Sequence, residues 1–210
     1  MLSAIWIVPA LALLGAAVWF ANGIRQIGQV SSGAPIGAWT ETALLLIDLQ
    51  TVFWDGGSFD TAAKAEAVEQ ILAEVAAAKS NGIPVIAVRQ EWSIPSTKAV
   101  AKLLMKGQAV EGTAGLELAA PFQDLADHVV VKRVQDAFET RELDRLLGQL
   151  GVGKLRIAGL DTNYCVAKTA LAARQRGYAV EIIKRGALSA DQGNAEKTLE
   201  MLRGEQVTLR

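Results

Sequence analysis

The chain is poor in the residues that build disulfides, histidine metal sites and strongly charged surfaces. Its 210 residues contain one cysteine, Cys165, and one histidine, His128. A single cysteine excludes an internal disulfide, and a single histidine excludes a histidine-rich metal site and disfavours a Ser-His-Asp triad. The net charge of −1 gives no basic surface for nucleic acid, so we expect no nucleic-acid partner.

Charge is also missing from the start of the chain. Residues 2–21 carry no charged side chain over 20 positions, which is long enough for a helix to cross a bilayer about 30 Å thick. Trp6 and Trp19 lie near its two ends, as interfacial aromatic residues do. The segment predicts a membrane anchor. A cleaved signal peptide ending near residues 21–23 and a helix buried at a subunit contact remain alternatives.

The anchor interpretation also predicts a location. Arg25 is the nearest charged side chain, so the positive-inside rule places the rest of the chain in the cytoplasm. A reduced thiol agrees with that compartment. A secreted or periplasmic protein follows instead if the segment is cleaved, and a soluble cytoplasmic protein follows if it is buried.

The composition divides the chain into three parts. Residues 1–21 are expected to form the apolar helix. Residues 22–40 are rich in Gly, Ser and Pro and predict a linker that tethers this helix to the domain, and residues 41–210 are expected to form one domain. Within that domain, apolar runs predict strands at 43–48, 83–88, 128–132, 154–160, 178–183 and 206–209. Helical patterns fall between them at 61–82, 140–147, 163–175 and 194–202. This alternation predicts an α/β fold, a six-stranded, mainly parallel sheet with helices on both faces.

Three reactive side chains lie at or just past the ends of predicted strands. They are Asp48, Lys132 and Cys165. Parallel sheets bind ligands at the carboxyl ends of their strands, so we expect the three to meet there. Cys165 opens a predicted helix, where unpaired N–H groups and the helix dipole favour a thiolate nucleophile. Asp48 can accept the thiol proton, and Lys132 can balance the charge.

Three motifs together resemble the isochorismatase-like cysteine hydrolase superfamily. They are LLLIDLQTVFW, VVVKRVQDAF and IAGLDTNYCVAKTALAA, in this order and spacing. The family includes isochorismatases, nicotinamidases, carbamoyl-sarcosine amidases and ureidoacrylate amidases. The resemblance covers about residues 42–210 and implies that Asp48 is the general base, Lys132 the neighbouring cation and Cys165 the nucleophile of a thioester mechanism.

The resemblance also implies an oxyanion hole and a metal-free site. The hole would consist of the backbone N–H groups of Asp161 and Cys165, with a cis peptide bond between Leu160 and Asp161. Metal-dependent nicotinamidases carry histidines after the first strand, but residues 55–64 contain none. We therefore expect no metal and no cofactor, and we interpret His128 as structural.

The resemblance further places four residues around a small, flat substrate. They are Gln50, Trp54, Trp92 and Phe138, although core packing is an alternative for the aromatic residues. Residues 93–118 form a long excursion that is typical of a lid or a subunit contact. By analogy with related folds we expect a homo-oligomer.

Three functions fit these observations. The first is a metal-independent cysteine amidohydrolase that cleaves a C–N bond in a small amide or carbamoyl compound. The second is hydrolysis of a vinyl ether such as isochorismate, which Cys165 disfavours because isochorismatases proper often lack the cysteine. The third is a non-catalytic scaffold on a hydrolase fold, tethered to a membrane by residues 2–21.

Overall fold

The computed structural model describes residues 2–210, with side chains from residue 7 onward. Met1 and the side chain of Trp6 therefore lie outside the described residues. The strands are β1 (Glu41–Ile47), β2 (Val85–Gln90), β3 (His128–Lys132), β4 (Val152–Gly159), β5 (Ala179–Ala187) and β6 (Thr208–Leu209). The helices are α1 (Leu2–Ile27), α2 (Thr51–Trp54), α3 (Thr61–Ser80), α4 (Pro95–Leu104), α5 (Glu142–Gln149), α6 (Ala167–Gln175) and α7 (Gln192–Gly204).

The six strands form one parallel sheet in the order β3-β2-β1-β4-β5-β6. One apolar cluster packs on each face, so the domain has three layers, helix on sheet on helix. The predicted α/β class and six-stranded sheet are confirmed. From β1 the chain proceeds to one edge of the sheet, and from β4 it proceeds to the other. A crevice opens at such a reversal, beyond the carboxyl ends of the two strands.

Gly159 allows β1 and β4 to approach at this crevice. Its φ is +125°, a conformation that disfavours L side chains, and a Cβ there would overlap the Ile47 carbonyl. That carbonyl also accepts the N–H of Leu160 at 2.8 Å. We expect Gly159→Ala to lower the free energy of unfolding by about 3 kcal/mol or more, because strain and backbone overlap add. Urea titration would measure it, and Gly204→Ala, which meets open space, is the matched control.

The expected linker at residues 22–40 is held against the domain by hydrogen bonds. α1 continues to Ile27, and Ser31 N donates to Asp136 Oδ2 at 2.7 Å. Arg176 is buried and donates to the Ser31 carbonyl at 2.8 Å, while its own carbonyl accepts Ile36 N. Buried charges need hydrogen-bond partners, and the backbone of this segment supplies them. Glycine and serine content predicts flexibility only where no such partner exists.

The earlier part of α1 projects from the domain. The side chains from Ile7 to Trp19 are all exposed, whereas Gly23 and Ile27 are buried against the domain. By length and composition, Ile7–Ile27 could cross a membrane. An apolar helix that is exposed on every side differs from the amphipathic surface helix of a globular domain. Burial of this helix at a subunit contact stays a prediction.

Candidate active site

Three elements bring Asp48, Lys132 and Cys165 together. Asp48 directly follows β1, Lys132 ends β3, and Cys165 lies in a π-helical turn, Thr162–Val166, that connects β4 to α6. Lys132 Nζ is 2.9 Å from Asp48 Oδ2 and 3.3 Å from Cys165 Sγ. A carboxylate, an ammonium group and a thiol from distant parts of the chain therefore share one site.

The backbone at Asp48 is unusual. Its φ is +53°, in the left-handed region that most residues avoid, and its N–H donates to the Val88 carbonyl at 2.8 Å. Such a conformation costs of order 1–3 kcal/mol and persists only where the surroundings enforce it. Within residues 2–210, Asp48 Oδ1 is buried and has no hydrogen-bond partner. One carboxylate oxygen is thus held by Lys132, and the other is available to accept a proton.

Gln90 connects the two strands that carry the charges. It ends β2, which lies between β1 and β3, and its Oε1 accepts a hydrogen bond from Lys132 Nζ. Gln50 does not line the cleft, which corrects the expectation of a substrate contact. Its side chain bonds the N–H and carbonyl of Gln90, at 2.6 and 3.1 Å. A fully buried amide must satisfy its polar atoms locally, so Gln50 positions Gln90 instead.

Burial acts on the pKa of all three groups. Desolvation raises the pKa of Asp48, and Lys132 opposes this effect. Desolvation and the Asp48 charge raise the pKa of the Cys165 thiol, and Lys132 opposes them. For Lys132, burial lowers the pKa, but the attraction of Asp48 and Cys165 outweighs it and the pKa is raised. The raised pKa of Cys165 favours the neutral thiol, not the thiolate that the helix N-terminus predicted.

This arrangement predicts an unusual alkylation result. Asp48→Asn removes the negative charge that raises the Cys165 pKa and leaves the Lys132 charge in place. We expect iodoacetamide to label Asp48→Asn faster than wild type at pH 7, by about tenfold for each unit that the thiol pKa falls. Asp161→Asn is the matched control, because the Asp161 charge is not among the causes of the thiol shift. Slower or equal labelling of Asp48→Asn would contradict this electrostatic description.

The π-helical turn arranges the backbone around Cys165. The Asp161 carbonyl accepts the N–H groups of Tyr164 and Val166, at 3.0 and 3.2 Å, on either side of Cys165. The Asp161 carboxylate accepts Asn163 N and Ala190 N, both at 2.8 Å. These bonds hold the Asp161 carboxylate in the loop.

No peptide bond among the described residues is cis, so the expected cis bond between Leu160 and Asp161 is wrong. A non-proline cis bond costs about 3–4 kcal/mol. Here the N–H of Leu160 donates to the Ile47 carbonyl and so extends the hydrogen bonding between β4 and β1. Asp161 is extended, at φ −89° and ψ 142°. The trans chain therefore reaches the turn without that cost.

A cleft of about 410 Å³ opens above the three residues. Of the four expected wall residues, only Trp92 lines it. Trp54 packs in the core against Phe122, with ring centroids 4.7 Å apart, and Phe138 is buried below the Arg176 guanidinium. These two expectations are corrected: the short helix α2 turns Trp54 away from the cleft, and Phe138 fills the apolar space beside β4 and α6.

Sequence reasoning missed most of the walls. The cleft is lined by Asp48, Phe53, Phe59, Gln90, Trp92, Met105, Gln108, Gln135, Leu160, Asp161, Tyr164 and Cys165. Gln135 lies inside the motif VVVKRVQDAF and Tyr164 precedes the cysteine, so motif proximity was a usable signal for both. Met105 and Gln108 belong to the excursion at 93–118, which therefore supplies one wall. Its expected subunit contact stays a prediction.

Within residues 2–210, no group of three His, Cys, Asp or Glu side chains could hold a metal ion. Arg89 and Arg133 pair with Glu91 and Glu139, at 3.0 and 2.6 Å, away from the cleft.

Comparison with known families and proteins agrees with this fold. The isochorismatase domain model matches residues 42–210. An Arabidopsis thaliana protein named "Probable inactive nicotinamidase" is 30% identical over 142 residues, which cover 62% of this chain and 71% of that protein. Streptothricin hydrolase of Streptomyces noursei is 30% identical over 66% of this chain and 46% of its own length. Ureidoacrylate amidohydrolase RutB of Pantoea ananatis is 25% identical, with coverages of 61% and 62%.

Solved structures share the fold. Pyrazinamidase/nicotinamidase of Streptococcus mutans superposes with a TM-score of 0.69 at 24% identity, covering 81% of this chain and 100% of that one. N-carbamoylsarcosine amidase of Thermoplasma acidophilum gives a TM-score of 0.69 at 21% identity, with coverages of 81% and 96%. At these identities the likeness establishes the architecture alone.

Proposed function

The chain belongs to the isochorismatase family, and we propose that it is a metal-independent hydrolase that cleaves the C–N bond of an amide through a Cys165 thioester. The observation that carries the proposal is the contact of Lys132 Nζ with both Asp48 and Cys165, at 2.9 and 3.3 Å. A nucleophile, a base and a charge-balancing cation are the parts that thiol catalysis of acyl transfer needs.

The first half of the reaction follows from the protonation states. As Cys165 Sγ attacks the amide carbon, the thiol proton moves to Asp48, whose raised pKa makes the transfer less unfavourable. The carbonyl oxygen becomes an oxyanion, and the N–H groups of Asp161 and Cys165 are the donors we assign to it. Asp48 then gives its proton to the departing nitrogen. The C–N bond breaks, an amine leaves, and the acyl group remains on sulfur.

The second half regenerates the thiol. Water attacks the thioester carbon while Asp48 accepts its proton, and the C–S bond breaks to release the carboxylic acid. The sulfur recovers the proton from Asp48. Lys132 stays protonated throughout and keeps the carboxylate charged between proton transfers, because its ammonium group lies beside Asp48 in a fully buried position.

The named relatives support the reaction class but not one substrate. RutB and streptothricin hydrolase are named as hydrolases, whereas the Arabidopsis protein is named as inactive. Family membership is thus compatible with activity and with its loss. The chemistry of this chain's own site is therefore what supports catalysis here.

An amide panel tests the proposal. The purified full chain would be incubated with small neutral amides, carbamoyl compounds and isochorismate, and released ammonia or amine and the acid product would be quantified. We expect acid and amine in equal amounts from at least one amide, and the same rate after treatment with a chelator. Product from isochorismate alone, or activity that requires added metal, would overturn the proposal.

We also propose that α1 anchors the domain in a membrane, with the catalytic part in the cytoplasm. The support is the exposure of every described side chain from Ile7 to Trp19 and the length of the apolar segment. A tethered scaffold without activity would share this anchor, and the amide panel separates the two. Partition of the full chain into the detergent phase on phase separation would support the anchor.

A further inference from the structure

We propose that the substrate is a neutral, apolar amide that enters the cleft from a bilayer surface, with the end of α4 lying on that surface beside α1. The inference rests on the proposed amide hydrolysis and names its substrate class and route. Three observations carry it: the charge of the cleft, the apolar character of its walls, and the position of α4 between the cleft and α1.

The charges of the cleft disfavour an anionic substrate. Two carboxylates, Asp48 and Asp161, line it, and among its described lining residues there is no lysine or arginine. Lys132 lies below, fully buried and paired with Asp48. A substrate carboxylate would therefore meet like charge in a partly desolvated site and find no free cation.

The walls favour apolar groups. Aromatic and aliphatic side chains form half of the lining: Phe53, Phe59, Trp92, Met105, Leu160 and Tyr164. The amides Gln90, Gln108 and Gln135 also line the cleft. Gln90 is held by Lys132, so Gln135 and the side-chain oxygen of Gln108 are the groups that we assign to orienting the substrate amide. A cleft with such walls binds a substrate more tightly for each substrate methylene that it removes from water.

The end of α4 exposes an apolar pair beside the cleft. Leu103 and Leu104 are 72% and 63% exposed and directly precede Met105, a wall residue. Lys102 and Lys106 flank the pair and are also exposed. Exposed leucines between lysines are typical of a segment that inserts into the interface of a membrane with anionic headgroups. The lysines argue against burial of the same pair in a contact between two copies of the chain.

The packing of α4 on α1 places this pair at the membrane level. The first turn of α4 meets α1 near its end: Ser96 Oγ bonds Gln26 at 3.0 Å, and Gly23 leaves no room for a Cβ against Ser96. Phe20, earlier in α1, packs on the cluster that contains Val100. α4 packs on α1 from this first turn onward, and in our proposal its last turn lies at the level where the exposed part of α1 meets the domain. A bilayer that holds Ile7–Trp19 would meet Leu103 and Leu104.

The test uses the full chain in vesicles that contain anionic phosphatidylglycerol. Straight-chain primary amides from butanamide to dodecanamide are the probes, and a monoamide of a dicarboxylic acid of matched length is the anionic comparison. We expect kcat/KM to rise at least about tenfold from butanamide to octanamide, because each buried methylene contributes. We expect the anionic amide to react at least about tenfold more slowly than its neutral match.

The route is tested by a surface variant. Leu103→Ser combined with Leu104→Ser should lower the rate on dodecanamide in vesicles several-fold relative to the rate on soluble butanamide. Leu72→Ser on α3, also an exposed leucine at 39%, is the matched control and should leave that ratio unchanged. An unchanged ratio in the double variant, or a soluble dimer that does not bind vesicles, would overturn the bilayer route.

The outcomes separate this inference from the proposed function. Rates that do not rise with chain length, or an anionic amide that reacts as fast as its neutral match, overturn the substrate class while amide hydrolysis stands. Hydrolysis of none of these probes, when a member of the amide panel is hydrolysed faster than by Cys165→Ala, overturns the substrate class alone, and hydrolysis of no amide in either set overturns both.

Discussion

Cys165→Ala is expected to lower kcat for amide hydrolysis by about 10³-fold or more. The variant keeps the cleft and the backbone donors but removes the only atom on which the acyl group can be carried. Removal of the nucleophile from a covalent hydrolase typically causes losses of this size, because the remaining groups have no alternative two-step route. Steady-state kinetics on the best amide of the panel would measure it.

Structural damage must be separated from lost chemistry in this variant. Cys165 is half-buried, so the shorter side chain should change the free energy of unfolding by no more than about 1 kcal/mol. Cys165→Ser is the matched second variant, since it keeps a similar shape but replaces the thiol with a far weaker acid. Activity within tenfold of wild type in either folded variant would show that the sulfur is not the nucleophile.

Lys132→Met is expected to impair both activity and stability. The ammonium group is fully buried and contacts Asp48, Gln90 and Cys165. Removal of one partner of a buried ion pair costs about 3–5 kcal/mol, because the other charge stays buried and unpaired. Lys98→Met is the matched control: that lysine pairs with Glu111 at 2.7 Å in a partly exposed position, so its loss should cost less than about 1 kcal/mol.

The same variant should shift the pH dependence of the remaining activity. Lys132 lowers the pKa of Asp48 against the raising effect of burial, so its removal raises that pKa further. Asp48 must be deprotonated to act as the base, and activity is lost as the pH falls through its pKa. The acid limb of kcat/KM should therefore move to higher pH in Lys132→Met. An acid limb at the wild-type pH would contradict the assignment of Asp48 as the base beside Lys132.

The sequence predicted the sheet well because each strand is a short, continuous apolar run. The run at 128–132 matches β3 at both ends, and that at 43–48 is offset from β1 (Glu41–Ile47) by only one or two residues. The strand order was not readable, since it depends on which side each crossover helix covers. α4 was also missed, because it lies in a long excursion and leaves two leucines exposed.

The site was predictable where topology alone decides position. The carboxyl ends of parallel strands share one edge of the sheet, so the sequence alone predicts that Asp48, Lys132 and Cys165 meet there. Side-chain direction was not predictable. Trp54 and Trp92 both follow strands, yet α2 turns the first towards Phe122 while the second lines the cleft. The protonation state of Cys165 was also missed, since burial and the Asp48 charge outweigh the helix terminus.

Intact-mass spectrometry of the chain, quenched in acid during turnover of an amide, tests the central claim most directly. We predict an adduct whose added mass equals the acyl group, located at Cys165 by peptide mapping, absent from Cys165→Ala and reversed by hydroxylamine. Turnover with an unmodified Cys165 under conditions that trap thioesters, or an adduct on any other residue, would contradict the mechanism.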